Sequence, residues 1–414
     1  MKNKYIVNLI KIFVILYIII YPLVPIDNTI GAIHFNPDYI LYTLFLVIIG
    51  GCLVNKKFRK NVKSDIWNFL KSPLSISLLC LNAIMYLSTI YAMQKKVAFT
   101  QSIRFSMYIF IFFILSYILK DKRIMDRILK ICFSISLLVS SFAIYQFIHN
   151  KFFTKTIVEN FRVGSFLQNS NNLGAYLIFF VFISINMIFI SKDRKKKILY
   201  TLATMIILSG IILCGSRNAL LALMFGIFIL ILCYDKKYMI WGVLLVALLI
   251  MVPISRNRIV QVFDMKQNAS RVKIWKTSIY MIKDKPILGI GYENFYEAYP
   301  TYFNKHKKEL YVSLYYRPLH PHNMFLKFQT EIGILGTVSI IIFLAISLRL
   351  IIRVNNKFSN KVIKAKLKSL GISFVVFQVM NLLDCYYGIP KLMVTMFIFL
   401  GIINFYERAE INEG

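Results

Sequence analysis

Long apolar runs separated by short polar and basic segments form the main pattern of this chain. A transmembrane helix needs about 20 consecutive, mostly apolar residues, and a backbone inside a bilayer must satisfy its own hydrogen bonds, so each long run is predicted to be a helix. The pattern predicts an all-α polytopic membrane protein, with residues 1–414 as a single integral membrane domain. The twelve predicted spans are 5–26, 38–54, 73–93, 102–119, 128–149, 173–191, 197–214, 217–234, 238–254, 324–348, 368–385 and 390–406.

Two of these boundaries rest on specific features. The run at 5–26 is too long for a signal-peptide core, and no small-residue cleavage site follows it, so it is interpreted as the first span. Only Gly215 and Ser216 separate the seventh and eighth runs. Because the two runs together exceed the bilayer thickness by nearly a factor of two, we predict two helices there.

The composition excludes an ordinary soluble protein. Hydrophobic residues make up 58% of the chain and charged residues 16%, whereas soluble domains carry roughly 45–50% apolar and about 25% charged residues. The formal net charge of +32 first suggests a nucleic-acid partner. Membrane topology explains the charge without nucleic acid, since Lys and Arg accumulate in cytoplasmic loops.

Loops rich in Lys and Arg alternate along the chain with loops that contain few of these residues. The loops at 27–37 and 386–391 are among those with few. This alternation predicts that both termini are cytoplasmic. The basic loops are 56–63, 120–123, 192–197, 235–237 and 349–368.

Residues 255–322, between spans nine and ten, form a long extracytoplasmic loop with twelve Lys and Arg. Long segments translocate largely regardless of charge, so the predicted topology stands. Loops of this length usually have a function or are disordered, and the many aromatic residues favour a folded segment.

An amphipathic helix is predicted inside this loop, from Ser270 as N-cap to a stop at Pro286. Val272, Trp275, Ile279 and Ile282 lie at helical spacing, and cations that include Arg271 occupy the rest of the helix surface. Such helices lie in the headgroup plane of a bilayer. The helix either binds a lipid phosphate or only anchors the loop. The Gly289-x-Gly291 sequence that follows is a weak phosphate motif, and a turn is the better interpretation.

His320, His322 and Asn323 stand where the long loop meets the tenth span. A neutral imidazole there accepts a hydroxyl proton near pH 7, although helix capping explains the His-Asn pair equally well. Two His one residue apart do not face one site on a helix, so a metal pair is not expected. Six scattered Cys (Cys52, Cys80, Cys132, Cys214, Cys233 and Cys385) predict neither a disulfide framework nor a metal site.

Further polar residues occur at the mouths of predicted spans. Arg217 is expected to face a cavity or a partner, because an intramembrane arginine is costly, or to snorkel to the interface. Glu331 and Asp384 are further candidate site residues. The alternative interpretation of each is an ion pair with a basic neighbour. Asn169 and Asn171 either bind sugar or phosphate oxygens or form turns and N-caps.

Taken together, these motifs resemble the O-antigen ligase and O-antigen polymerase superfamily of bacterial membrane glycosyltransferases. The resemblance is best over about 160–345. It rests on Gly-Ser-Phe followed by the Asn169 and Asn171 element, Ser216-Arg217, Arg271 four residues before Trp275, Pro-x-Leu-Gly-x-Gly, and His322-Asn323 leading into Glu331. Ser170 departs from the proline that many members carry between the two asparagines.

The resemblance implies a helical, GT-C-like fold in the bacterial cytoplasmic membrane, with a cavity open to the extracytoplasmic side. It implies an undecaprenyl-diphosphate-linked glycan as donor, a glycan acceptor, and a chain-length regulator and a flippase as partners. Arg217 and Arg271 are then expected to hold the diphosphate, with His322 as the catalytic base. The expected substrate-binding residues are Arg162, Asn169, Asn171, Ser216, Trp275, His320, Asn323 and Glu331.

The outer loops lack an Asp-x-Asp or similar carboxylate cluster, so no metal or cofactor and an inverting displacement are expected. Three functions remain open on the sequence. The first is a polymerase of surface-polysaccharide repeat units, and the second is a ligase that transfers the glycan to lipid A core, protein or wall. The third is a secondary transporter or flippase, against which stands the absence of visible internal symmetry.

Overall fold

The computed structural model describes most of the chain. The predicted basic loop at 235–237 and parts of the predicted loop at 255–322 lie outside the described residues. The described residues are 2–24, 28–30, 33–152, 162–233, 239–251, 256, 258, 265–310 and 317–409.

Helices dominate the first half of the described chain. A short antiparallel hairpin pairs Asn28 with Phe35 and Ile30 with Ile33 between the first two helices. The elements are α1 (Lys2–Leu23), β1 (Asn28–Ile30), β2 (Ile33–Phe35), α2 (Asp38–Val54), α3 (Lys56–Lys71), α4 (Pro73–Ser88), α5 (Lys95–Phe113, extended by a π-helical turn, Ile114–Ile118), α6 (Lys122–Phe152) and a 3₁₀ turn (Ser165–Leu167).

The second half adds the helices that carry most of the predicted site. They are α7 (Ser170–Ile190), α8 (Arg194–Leu213), α9 (Arg217–Cys233), α10 (Met239–Met251), α11 (Met265–Asp284), α12 (Phe295–Lys305), α13 (Lys307–Leu310), α14 (Met324–Lys357), α15 (Lys361–Leu383) and α16 (Pro390–Arg408).

Helices α7 and α16 form the centre of the bundle, because both are buried along almost their whole length. Helix α7 packs against α8, α9 and α15, and α16 packs against α5 and α14. Aromatic side chains fill the contacts, such as Phe179 between Phe377 and Phe399. A helix that is apolar on all sides is expected at such a position.

Seven described helices are long and apolar enough to cross a bilayer, or eight if the bent pair α3 and α4 forms one span. This agrees with an all-α membrane protein that crosses the bilayer several times. Four further predicted spans coincide with α2, α9, α10 and α15, whose length and composition do not establish them as spans. The count of twelve therefore stays a prediction.

The predicted break between spans seven and eight is confirmed. Helix α8 ends at Leu213 and α9 begins at Arg217. Gly215 has a φ of +58°, a left-handed conformation that glycine adopts without steric cost. The chain thus leaves the helical path for three residues, and α9 begins at Arg217 directly after Ser216.

The predicted amphipathic helix forms, but with different bounds, and part of it is buried against the protein. Helix α11 already runs from Met265, so the prediction that Ser270 is its N-cap is wrong; its end at Asp284 agrees with the predicted stop. Ile274 and Met281 are buried, whereas Val272 and Ile279 are 40% and 44% exposed. The buried residues form a small second core with α12, a long-range contact that periodicity alone did not reveal.

The turn predicted at 286–295 is confirmed and packs against a kink in α14. Backbone N–H groups of Ile290 and Gly291 donate to the carbonyls of Thr330 and Glu331 at 3.0 and 2.8 Å. The kink lies at Ile332 and Gly333, whose backbone angles are not helical. The long loop is therefore attached to the beginning of α14, where His322 and Asn323 stand.

Candidate active site

A cavity of about 250 Å³ lies where three distant parts of the chain meet. Arg217 and Asn218 enter it from α9, Arg271 and Trp275 from α11, and Leu383 from the end of α15. Both arginines that the sequence singled out for a diphosphate thus line one cavity. Two cations on one small cavity favour an anionic ligand.

A histidine–carboxylate pair adjoins this cavity. Asp384 directly follows Leu383, and its Oδ1 lies 2.7 Å from Nδ1 of His322. The indole Nε1 of Trp275 donates to the carbonyl of Pro321 at 2.9 Å. The loop that carries His322 is therefore tied to two walls of the cavity, one on α11 and one at the end of α15.

Both histidines face the same carboxylate, which corrects the prediction that they cannot share one site. The rings of His320 and His322 have centroids 4.5 Å apart, and Nε2 of His320 lies 3.8 Å from Asp384 Oδ1. The prediction assumed helical geometry. The two residues instead precede α14, and a φ of +55° at His322 turns the backbone.

Hydrogen bonds distinguish the two histidines. The backbone N–H of His322 donates to Nδ1 of His320 at 3.2 Å, so a neutral His320 ring carries its proton on Nε2 and has no second lone pair for a base. In His322 the Nδ1–H donates to Asp384, which leaves Nε2 as the acceptor nitrogen. The geometry thus favours His322 over His320 as a base.

Charge states in the loop follow from burial and hydrogen bonding. Burial lowers the pKa of His320 to about 3, and the charge of Arg271 contributes to the lowering. The Asp384 carboxylate accepts a hydrogen bond from the backbone N–H of Cys385 as well as from His322. Near neutral pH, His320 is uncharged and Asp384 is an anion facing His322.

Arg162 and Asn171 extend the site toward α7. Arg162 Nη2 donates to Asn171 Oδ1 at 2.6 Å, and Asn171 Nδ2 lies 3.4 Å from Asp384 Oδ2. Arg162 also donates from Nε to the Cys214 carbonyl at 3.0 Å. Burial, with the nearby charge of Arg258, lowers the pKa of Arg162. These contacts connect the Arg162 guanidinium to the carboxylate that holds His322.

Three predicted binding residues act as helix caps, an alternative that the sequence left open for Asn169 and Asn323 but did not indicate for Ser216. Asn169 accepts from the N–H groups at the start of α7, and Asn323 accepts from the N–H of Leu326 at 3.0 Å. Ser216 is buried and accepts from the N–H of Ala219 at 3.4 Å. Such caps stabilise a helix end by about 1 kcal/mol and fix the positions of Arg217 and His322.

Glu331 lies in a buried ionic cluster. Lys327 Nζ lies 3.0 Å from Glu331 Oε1 and 2.9 Å from Glu293 Oε2, and the N–H of Glu293 donates to Glu331. Glu331 and Lys327 are each 1% exposed. Glu331 thus joins the 286–295 turn to α14.

His320, His322 and Asp384 also have the chemistry of metal ligands. Their ligating atoms lie within 4.8 Å of one another, a separation compatible with one divalent ion. An ion bound through His322 Nδ1 would replace the hydrogen bond to Asp384, because a ligating imidazole nitrogen carries no proton. The absence of a metal stays a prediction.

The free thiols among the described residues are Cys52, Cys80, Cys132, Cys214 and Cys385.

Sequence patterns gave a weak signal or none for three residues of the site. Asp384 was only a general candidate, although it is the partner of His322. Asn218 lines the cavity, donates to the Met380 carbonyl and lies 3.2 Å from the Tyr386 hydroxyl. Arg258 lies beside Gly215. Asn218 was detectable, because it directly follows the Ser-Arg motif; Arg258 carried no local signal.

Part of the chain matches a known protein family. Residues 202–341 match the family model described as O-antigen ligase, a range that includes Arg217, Arg271 and His322. No curated protein matches the chain. The family match supports a ligase- or polymerase-type function on lipid-linked glycans. This match confirms, over 202–341, the resemblance to the O-antigen ligase and O-antigen polymerase superfamily that the motifs predicted.

Proposed function

We propose that this protein is a membrane glycosyltransferase that joins repeat units of a surface polysaccharide on the extracytoplasmic side of the bacterial cytoplasmic membrane. Its donor is an undecaprenyl-diphosphate-linked oligosaccharide. The observation that carries the proposal is the placement of Arg217 and Arg271 on one cavity, next to a loop in which His322 is bonded to Asp384.

The arginines bind the leaving group. A lipid diphosphate departs as an anion, and guanidinium groups offer planar pairs of N–H donors to its phosphate oxygens. Charge on the bridging oxygen grows in the transition state, so fixed cations stabilise that state more than the ground state. Arg217 from α9 and Arg271 from α11 approach the cavity from two elements, which suits a two-sided grip on a diphosphate.

His322 activates the acceptor. Its Nε2 removes the proton from an acceptor hydroxyl while that oxygen forms a bond to the anomeric carbon of the donor. The bond from that carbon to the phosphate oxygen breaks, and undecaprenyl diphosphate leaves with the electron pair. Asp384 fixes the tautomer of His322 and stabilises the imidazolium that results. A single displacement of this kind inverts the anomeric carbon.

The test is transfer by purified protein in detergent, with labelled lipid-diphosphate-linked repeat units as substrate. We expect His322→Ala to abolish long chains, and His306→Ala, a histidine bonded to Glu309 in the outer segment, to leave them unchanged. Normal chain lengths from His322→Ala protein at normal yield would contradict the mechanism. Transfer in detergent also excludes a transporter, because transport needs two compartments.

Polymerase and ligase differ only in the acceptor. A strain lacking the protein is expected to accumulate a single capped repeat unit; accumulation of unattached long polymer would instead indicate a ligase. The same detergent assay with EDTA tests the prediction that no metal ion takes part, since loss of transfer on chelation would show that a metal ion is required.

A further inference from the structure

Helix α3 differs from its neighbours in direction and in surface. It is bent by 80° from α4 across Ser72 alone, and α4 packs alongside α5 and α14, both candidate spans. If α4 runs with these spans across the bilayer, α3 lies nearly parallel to the membrane plane. Residues 56–63, which form the first half of α3, are predicted from their cations to be cytoplasmic, so α3 belongs at the cytoplasmic leaflet.

The exposed surface of α3 is strongly basic. The sequence of the helix contains one acidic residue, Asp65, which is buried and paired with Lys120 at 2.8 Å. The cations of the helix are all exposed, and they are Lys56, Lys57, Arg59, Lys60, Lys63 and Lys71. A surface with six cations and no exposed carboxylate of its own attracts an anionic partner.

Apolar side chains accompany these cations. Phe58, Val62 and Phe69 are buried against the protein, while Trp67 and Leu70 are 61% and 46% exposed. An exposed tryptophan with flanking lysines is typical of a helix at the membrane interface. Lys71 lies 4.7 Å from the centre of the Trp67 ring, which places a cation beside the apolar contact.

An apolar groove of about 290 Å³ begins under the same helix. Ile66 and Leu70 of α3 form one end, and Leu79 of α4 with Ile109 and Phe113 of α5 form the walls. The helix that carries the cations therefore forms one end of a groove between α4 and α5. This arrangement matches a molecule with an anionic head and a hydrocarbon chain.

We propose that α3 and this groove form a binding site for an anionic phospholipid of the cytoplasmic leaflet. The cations hold the phosphate head group, and one acyl chain lies in the groove. Each Lys or Arg near an anionic membrane surface contributes about 1 kcal/mol, or roughly fivefold in affinity. The site is independent of the proposed glycosyl transfer and lies on the opposite predicted side of the membrane.

The experiment measures quenching of Trp67 by brominated lipids in the full-length protein. The protein is reconstituted in vesicles of four parts phosphatidylcholine to one part phosphatidylglycerol, with bromine on the chains of one lipid or of the other. The Trp67 signal is the difference between the wild-type protein and Trp67→Phe. We expect brominated phosphatidylglycerol to quench Trp67 more than an equal mole fraction of brominated phosphatidylcholine, and added salt to reduce the preference.

Two charge variants complete the design. The first is a triple variant of α3 that combines Lys60→Gln, Lys63→Gln and Lys71→Gln. We expect it to lower the preference for phosphatidylglycerol by roughly fivefold for each cation removed. The second is a control triple variant that removes the same charge from exposed positions of α8 by combining Lys195→Gln, Lys196→Gln and Lys197→Gln. We expect it to leave the preference for phosphatidylglycerol unchanged. Equal quenching by the two brominated lipids in the wild-type protein would overturn the proposal, as would an equal loss in the two triple variants.

Discussion

At the scale of single residues, the bond between His322 and Asp384 is the contact on which the proposed chemistry depends most. Asp384→Asn keeps an acceptor oxygen for the N–H groups of His322 and Cys385, which both reach Oδ1 in the present structure. It removes the negative charge that stabilises a protonated His322. We expect transfer to fall by about 10²–10⁴-fold with little change in the melting temperature, measured with labelled donor in detergent.

Asp65→Asn is the matched control for this variant. Asp65 is as buried as Asp384, each 4% exposed, and it is also paired with a basic side chain. It belongs to α3, outside the candidate site. If both variants lose activity to the same extent, the loss at Asp384 reflects a general requirement for buried carboxylates and gives no support to a catalytic pair.

His320 has a predicted effect on pH-dependent stability. Its pKa in the folded protein is about 3, below the value of about 6.5 for an unfolded chain, so the unfolded state binds more protons between these values. The contribution of His320 to the free energy of unfolding is then fully present above about pH 6.5 and is lost as the pH drops toward 3. From pH 7 to pH 5 we expect this residue to account for a loss of about 2 kcal/mol.

The variant His320→Asn isolates that contribution. Its side-chain oxygen can still accept the N–H of His322, and it does not titrate in this range. Thermal unfolding in detergent at pH 7 and pH 5 is expected to show a smaller decrease in the variant than in the wild-type protein. Parallel curves would show that His320 is protonated equally in the folded and unfolded states.

At the scale of elements, the kink in α14 connects the long loop to the site. Gly333 has φ +65° and ψ −161°, a combination open essentially to glycine alone. A Cβ there would lie 2.0 Å from the carbonyl oxygen of Ile287, a backbone atom that cannot move aside. We therefore expect Gly333→Ala to lower the unfolding free energy by about 3 kcal/mol or more and to reduce transfer.

Gly50 offers the control, because a Cβ on it would have no heavy atom within 4 Å and it lies inside α2. Gly50→Ala is expected to leave the melting temperature unchanged or to raise it slightly, since alanine favours helix by about 1 kcal/mol. Comparable destabilisation of the two variants in the same detergent would argue against a special role for the kink.

The elements show what the sequence could and could not predict. Apolar runs predicted most helix positions, because a backbone in lipid has few alternatives to a helix. The helical nature of α3 was not predicted, since its cations were interpreted as a cytoplasmic loop. The convergence of His320 and His322 was also missed. It depends on a left-handed residue and on Asp384, 62 positions further along the chain, and hydropathy carries no such long-range information.

At the scale of the whole molecule, the proposed function requires the cavity and the long loop to lie on the extracytoplasmic side of the membrane. The alternation of basic loops predicts that Lys307, in α13, is extracytoplasmic and that Lys196, at the start of α8, is cytoplasmic. Single-cysteine variants Lys307→Cys and Lys196→Cys, in a background with the six native cysteines replaced by alanine or serine, report the two sides. We expect a membrane-impermeant maleimide to label Lys307→Cys in intact cells.

Lys196→Cys is expected to react only after the membrane is permeabilised, because the label cannot otherwise reach the cytoplasm. Labelling of Lys196→Cys alone in intact cells would reverse the orientation and place Arg217, Arg271 and His322 at the cytoplasmic face. Glycan repeat units on a lipid diphosphate would then have to be joined before they cross the membrane. The proposal that repeat units are joined on the extracytoplasmic side therefore depends on this measurement more than on the details of the active site.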